Sequence, residues 1–173
     1  ERAVKDRTRR ALEQMAGAES SAIVRLYLAA SLQVLPVTDR VRLAEALLKR
    51  TEDAGDHNQE LLIWYGIESI ASQNPELALK LIRDSRLQKP RIYAARRIVE
   101  QITEKPAVVN SLVKLAANGT RGLQRAVLEG MSAGLNGWRQ APKPKDWEWA
   151  SRKLRALEDE SIGKWVQELD VVF

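Results

Sequence analysis

Apolar residues recur along this chain three and four positions apart, and prolines interrupt them at intervals, a combination that predicts a succession of short amphipathic helices. Between Ser21 and Val34, the residues Ile23, Val24, Leu26, Tyr27, Leu28, Ala30 and Leu32 leave few polar positions, so this helix is expected to lie between neighbours. A second helix is expected to be capped by Thr38 or Asp39, with Val41, Ala44, Leu47 and Leu48 inside and Glu45 paired with Lys49 outside. The next begins at Asp56, which can cap with Gln59 three residues on, and carries Ile63, Trp64, Ile67, Ile70 and Ala71.

Pro75, Pro90 and Pro106 follow at steps of 15 and 16 residues, each ahead of an apolar run. Proline suits a first helical turn because its missing N–H would have had no partner there. The three are therefore read as helix starts, the first with Asn74 before it. Asn118 and Gly119 read as a stop, since both tolerate the left-handed conformation that ends many helices. The helix after them holds Leu123, Val127, Met131 and Leu135. Its Gly130 and Gly134 cost helix propensity and imply a neighbouring backbone at close range. One irregular stretch, residues 136–145, is expected to cross the surface in extended form. Beyond it Trp147, Ala150, Leu154 and Leu157 fall on one helical face, and Ile162, Trp165, Val166 and Leu169 on another.

Taking the first helix of each pair, starts fall near Ser20, Asp56, Lys89 and Gly119, giving steps of 36, 33 and 30 residues. Such a rhythm suits helical hairpin repeats. The fold expected is all-α, an α-solenoid of HEAT-like antiparallel helix pairs with nine or ten helices and no sheet. Residues 1–173 are expected to form a single repeat domain.

Composition narrows this picture without redirecting it. At 173 residues the chain can bury roughly 70% of the surface its unfolded form exposes. With 45% hydrophobic and 29% charged residues it is neither disordered in type nor built of membrane spans. The 28 Lys and Arg against 23 Asp and Glu give +5, a modest bias toward acidic partners. No cysteine is present, which removes disulfides, thiolate metal sites and cysteine nucleophiles. The charged segment Glu1 to Arg10 lacks the apolar core of a signal peptide, while Ile162 to Phe173 stays apolar at helical spacing. That apolar end is read as a sign that the domain was excised from a larger multidomain protein.

Candidate chemistry is sparse. His57 is the only histidine, and neither GxxxxGK[ST], GxGxxG nor GxSxG occurs. Glu52, Asp53, Asp56, His57, Asn58 and Glu60 form an oxygen-rich segment that could hold a metal or do acid–base work. Its plainer reading is helix capping, since acidic and Asn side chains accept the orphan N–H groups of a helix start. Lys89, Arg91, Arg96 and Arg97 form a basic cluster, in which Arg96 is expected to pair with Glu100 and Arg97 to stay solvated. Lys143, Lys145, Arg152, Lys153 and Arg155 lie near Trp147 and Trp149, a mixture of cations and rings seen where nucleic acid is bound. Trp147 also fits an apolar stripe; Trp64 and Trp165 should be buried, and Trp138 and Trp149 are freer. The candidate interaction surface is therefore Asp56, His57, Arg96, Arg97, Lys143, Lys145, Trp149 and Arg152, with no catalytic, cofactor or metal residue assigned.

The segment from Asp53 through His57 to Trp64, Tyr65, Gly66, Ile67 and Glu68 resembles a recurring stretch in large exported bacterial proteins. These are the planctomycete and verrucomicrobial haem-binding proteins of membrane-bound dehydrogenase-like type. Val24-Arg25-Leu26 with Leu32 to Pro36, Ala95-Arg96-Arg97, and Leu128 to Met131 with Leu135 and Gly137 are similar as well, so the resemblance spans about residues 19–149. In that family HEAT-like repeats lie between a sugar-dehydrogenase-like β-propeller and a c-type cytochrome with a CxxCH motif. The resemblance implies a periplasmic, exported parent in which this region is a spacer or docking surface. It carries no activity over, because the chain has no cysteine to attach haem and no strand-rich segment.

The function expected is a non-enzymatic interaction scaffold, without cofactor, whose partners are neighbouring domains or another protein and which does not insert in a membrane. The alternative is nucleic-acid binding on a HEAT-like scaffold, as in the alkylpurine DNA glycosylases, carried by Lys143, Lys145, Arg152, Trp147 and Trp149. A small hydrolase centred on Asp53, Asp56 and His57 is a third, weaker reading.

Overall fold

The computed structural model describes residues 5–173. Among these residues the chain forms ten α-helices and no strand, in keeping with its apolar periodicity. None of the helices is long and apolar enough to cross a membrane. The chain divides into two compact units, Glu1–Pro90 and Arg91–Phe173.

The first unit holds α1 (Asp6–Ala18), α2 (Ala22–Ser31), α3 (Val37–Leu48), α4 (His57–Gln73), α5 (Pro75–Asp84) and the first residues of α6 (Gln88–Val99). Alternate helices lie side by side: α1 packs on α3, α3 on α5, and α2 on α4. Their shared core contains Leu28, Leu32, Leu43, Leu47, Ile63, Ile67 and Leu81, and it closes tightly because Gly66 leaves room for Leu32. A Cβ at position 66 would come within 2.8 Å of Leu32 Cδ1.

Local chemistry explains the boundaries. Asp56 accepts hydrogen bonds from the Asn58 and Gln59 N–H groups, both at 3.0 Å, and so caps α4. The expected reciprocal bond from Gln59 to the Asp56 N–H is replaced: that N–H donates to the Asp53 carbonyl at 3.1 Å, and Glu60 Oε1 accepts the preceding Gly55 N–H at 2.8 Å. Gly55 reaches this position at φ +88°, a conformation glycine adopts without a Cβ penalty. Asn74 both ends α4 and caps α5, accepting the Leu77 N–H at 3.1 Å with Pro75 in the first turn.

Several expectations for this unit are corrected. α1 is a helix that the apolar pattern missed, because Arg7, Arg9 and Arg10 dilute a stripe reduced to Leu12 and Ala16. The helix from Ser21 is not enclosed on all sides: Ile23 is 68% and Tyr27 72% exposed, and the chain tightens into a 3-10 turn at Leu32–Val34. Neither Thr38 nor Asp39 caps α3, which follows Pro36 directly and places buried Asp39 in its first turn. Glu45 bonds Lys80 of α5 at 2.7 Å rather than the expected Lys49 of its own helix.

The second unit holds the rest of α6 with α7 (Pro106–Asn118), α8 (Arg121–Gly134), α9 (Trp147–Arg155) and α10 (Glu160–Val172). Here too alternate helices pair, α7 with α9 and α8 with α10. α8 meets α6 through its glycines, as their spacing predicts. A Cβ on Gly130 would press on the Ile92 carbonyl and lie 2.8 Å from Ala95 Cβ, and one on Gly134 would lie 2.9 Å from the Arg96 carbonyl oxygen. Buried Val109, Leu112, Val113, Leu123, Val127, Met131, Trp147, Leu154 and Val166 fill the space between.

Pro106 takes the first position of α7 as expected, whereas Pro90 is the third residue of α6, where its missing N–H is still an orphan. Gly119 ends α7 in an extended conformation, φ −82°, rather than a left-handed one. Its lack of a side chain serves space instead, since a Cβ would lie 2.9 Å from Leu123 Cδ2. Leu157 is outside α9 and half-buried, not part of its face. The irregular stretch runs between α8 and α9 as expected, pinned by the Ala141 N–H to the Val172 carbonyl at 2.8 Å and the Asp146 N–H to Asn110 Oδ1 at 2.8 Å.

Candidate interaction surface

The acidic segment before α4 resolves into capping and one buried ion pair. Asp53 is not free for chemistry: Arg25 of α2 donates to it from Nε at 2.8 Å and from Nη2 at 2.5 Å, and both side chains are buried. Arg25 Nη1 also donates to the Glu19 and Ser20 carbonyls, tying the turn before α2 to the turn after α3. The hydrogen bonds that Arg25 donates to Asp53 raise the guanidinium pKa above its ordinary value against the opposing effect of burial. Arg50 completes the clamp through the Gly17 and Glu19 carbonyls and pairs with Glu52. A hydrogen bond to its carboxylate from its own backbone N–H, followed by the Arg50 charge, lowers the Glu52 pKa.

His57 is exposed at the first position of α4, with Lys89 Nζ donating to its Nδ1 at 2.7 Å. Asp56 is spent on the cap. Among the described residues no three His, Asp or Glu side chains are placed to hold a metal ion. Gln59, beside this cap, is 2% exposed, and its Nε2 has no hydrogen-bond partner.

The first basic cluster loses one member to the interior. Lys89 belongs to the first unit, and Arg91, in the second, is buried at 6% exposure. Arg96 pairs with Glu100 at 3.2 Å as expected, and Arg97, expected to be solvated, bonds the same carboxylate at 3.2 Å. One acid thus offsets part of the charge of two arginines.

The second cluster is also largely matched. Lys143 bonds Glu148 at 2.7 Å, Arg155 bonds Asp170, and Lys153 donates to Asn118 at 2.7 Å. Arg152 folds back on its own helix, donating to the Glu148 carbonyl. Lys143 and its like-signed neighbours lower the Glu148 pKa, the hydrogen bond contributing most. Asp146 is held below its ordinary range by bonds from Asn110 and Lys114, and Asp159 by Arg125 and the Ile162 N–H. Trp149 is 42% exposed with Lys153 Nζ 5.4 Å from its ring centre. Trp147 is buried, donating to Asp170 at 2.8 Å and meeting Phe173 edge-on. Trp64 and Trp165, expected to be buried, are half-buried.

Lys143 and Lys145 do meet something the sequence pattern missed. They stand on the rim of a groove of about 390 Å³ formed with Ile102, Pro106, Ala107, Asn110, Pro142 and Pro144. The wall from α7 is 36 residues away from the strap that faces it, linked by the Asn110–Asp146 bonds, so no local signal reveals it. Exposed apolar side chains elsewhere include Ile23, Tyr27 and Val34, at helical spacing on α2 and the turn after it.

No family model, no curated protein and no solved structure matches this chain.

Proposed function

We propose that this chain is a non-catalytic HEAT-like repeat scaffold, a solenoid of stacked helical hairpins that mediates contact between domains or proteins. One observation carries the reading. Side-chain bonds repeatedly join residues one repeat apart: Glu45 with Lys80, Asn110 with Asp146, Asn118 with Lys153, Arg125 with Asp159 and Ser132 with Glu168, at separations of 34 to 36 residues. Equivalent positions on successive hairpins touch in this way when each repeat contacts chiefly its neighbours. The starts of α2, α4, α6 and α8 are 35, 31 and 33 residues apart, the same rhythm in the backbone.

The acidic segment supports the absence of catalysis in this reading, since Asp53 and Asp56 are engaged in a structural pair and a cap. The resemblance around His57 and Trp64 adds a setting, a spacer or docking surface in an exported redox protein. Nucleic-acid binding is the second reading, and exposed Trp149 beside Lys153 and Arg152 is what favours it. The bonds from Lys153 to Asn118 and from Arg155 to Asp170 weigh against it.

Two measurements test the proposal. A solenoid gives a radius of gyration above the roughly 16 Å of a globular chain of this length in small-angle scattering. Anisotropy titrations with single-stranded and duplex DNA at about 50 mM salt should show no saturable binding. Binding that falls by roughly 10³-fold or more toward 200 mM salt would replace the scaffold reading with the nucleic-acid one.

A further inference from the structure

The groove on the second unit offers more than a generic surface. We propose that it docks a short, extended, acidic peptide segment of a partner protein, seating one apolar side chain between Pro106, Pro142 and Pro144. The inference rests on the scaffold reading and names the chemistry of what that scaffold would hold.

Charge points to the sign of the ligand. Of the eight side chains lining the groove, Lys143 and Lys145 are cationic and none is acidic. The adjacent acid on the strap is bonded to other partners: Asp146 accepts from Asn110 at 2.7 Å and pairs with Lys114 at 3.1 Å, and acts on Lys145 only through its charge. Glu148 bonds Lys143, but this pair is open to solvent on both sides, and water screens such pairs heavily. An incoming carboxylate can exchange with Glu148 at small cost.

Shape and lining point to a peptide. A volume of about 390 Å³ suits one anchoring side chain and its flanking backbone. Much of the lining is apolar, with Ile102 buried and Pro106 and Ala107 exposed. No aromatic ring or arginine lines it, so a nucleobase would find no stacking platform. Proline has no N–H, so Pro106, Pro142 and Pro144 offer no backbone donor to a strand laid along the strap, which shifts recognition toward the side chains.

The walls are also held before any ligand arrives. The Asp146 N–H bonds Asn110, the Trp147 N–H bonds the Pro144 carbonyl at 3.0 Å, and the Ala141 N–H bonds Val172. A site fixed in advance loses little conformational freedom on binding.

The test uses the full chain, labelled with nitrogen-15 and titrated with the acidic peptide EDLFDE, its cationic counterpart KKLFKK, and a short oligothymidylate. EDLFDE should move the amides of Ala107, Asn110, Lys143 and Lys145 saturably, and KKLFKK should not. Replacing both lysines, Lys143→Glu with Lys145→Glu, should weaken EDLFDE by about tenfold or more with an unchanged melting curve. Ala107→Gln, which fills the groove without altering lysine charge, should weaken it too. The proposal is overturned if EDLFDE moves none of these amides, if KKLFKK moves them equally, or if neither variant weakens binding. EDLFDE binding at other residues would overturn this groove while leaving the scaffold reading in place. Salt-sensitive oligothymidylate binding would overturn both.

Discussion

Arg25 and Asp53, 28 residues apart, form a forked ion pair whose side chains are 4% and 3% exposed, and it locks the turn before α2 to the turn after α3. A pair this enclosed contributes little to net stability against apolar replacements, but breaking it strands a charge without water. Asp53→Ala should therefore cost about 3–5 kcal/mol in urea unfolding, while Arg25→Met combined with Asp53→Leu should cost far less. Equal losses in the single and double variants would show that the pair is not the origin of the effect.

The glycines of α8 and α10 should respond in opposite directions. Gly130→Ala forces a methyl against the Ile92 carbonyl and Ala95, and backbone cannot yield as a side-chain tip can, so a loss of about 1–3 kcal/mol is expected. Gly163 of α10 has nothing within 4 Å of an added Cβ. Gly163→Ala should raise stability by about 0.5–1 kcal/mol through helix propensity and a more restricted unfolded chain. Thermal melts of the two variants check both signs.

Gln59 gives a third case. Its buried Nε2 has no partner, and an unsatisfied donor forfeits the water it left behind. Gln59→Met, similar in length and without the amide, should stabilise by about 1 kcal/mol in denaturant titration. A loss of stability on this change would mean that the amide has a partner in solution.

How much of this was legible beforehand depended on range in sequence. Asn74-Pro75 and the Asp56 cap were readable because a cap needs only residues two or three positions away. Gly130 and Gly134 were readable as a demand for close approach, though not that α6 would supply it. The exposure of Ile23 and Tyr27 was not, because periodicity counts apolar residues without saying which neighbours exist to cover them. The partners of the basic side chains divide in the same way: Glu100 is local to Arg96, so that pair was readable, but Asp170 reaches Arg155 from the next helix, and Arg91 went inside. The groove at Lys143 and Lys145 needed a wall one repeat away.

Acid should loosen the second unit through Asp159. Its carboxylate caps α10 and accepts Arg125 at 2.6 Å, and these bonds hold its pKa below the ordinary Asp value. A group whose pKa is depressed by folding contributes stability that is complete above the unfolded value, about 3.9, and is lost as pH falls through the lower folded value. Asp146, depressed by Asn110 and Lys114, acts in the same direction. Asp159→Asn keeps a capping oxygen but removes the titration, so its stability should fall less steeply than the parent's below about pH 4 in acid titrations followed by circular dichroism.

Ile23, Tyr27 and Val34 carry one last implication. Fully covering an aliphatic or aromatic side chain of this size stabilises a protein by about 1.5–3 kcal/mol, and here three of them remain wetted at 68%, 72% and 80% exposure. Folding of the first unit is therefore almost indifferent to whether these positions are greasy or hydrophilic.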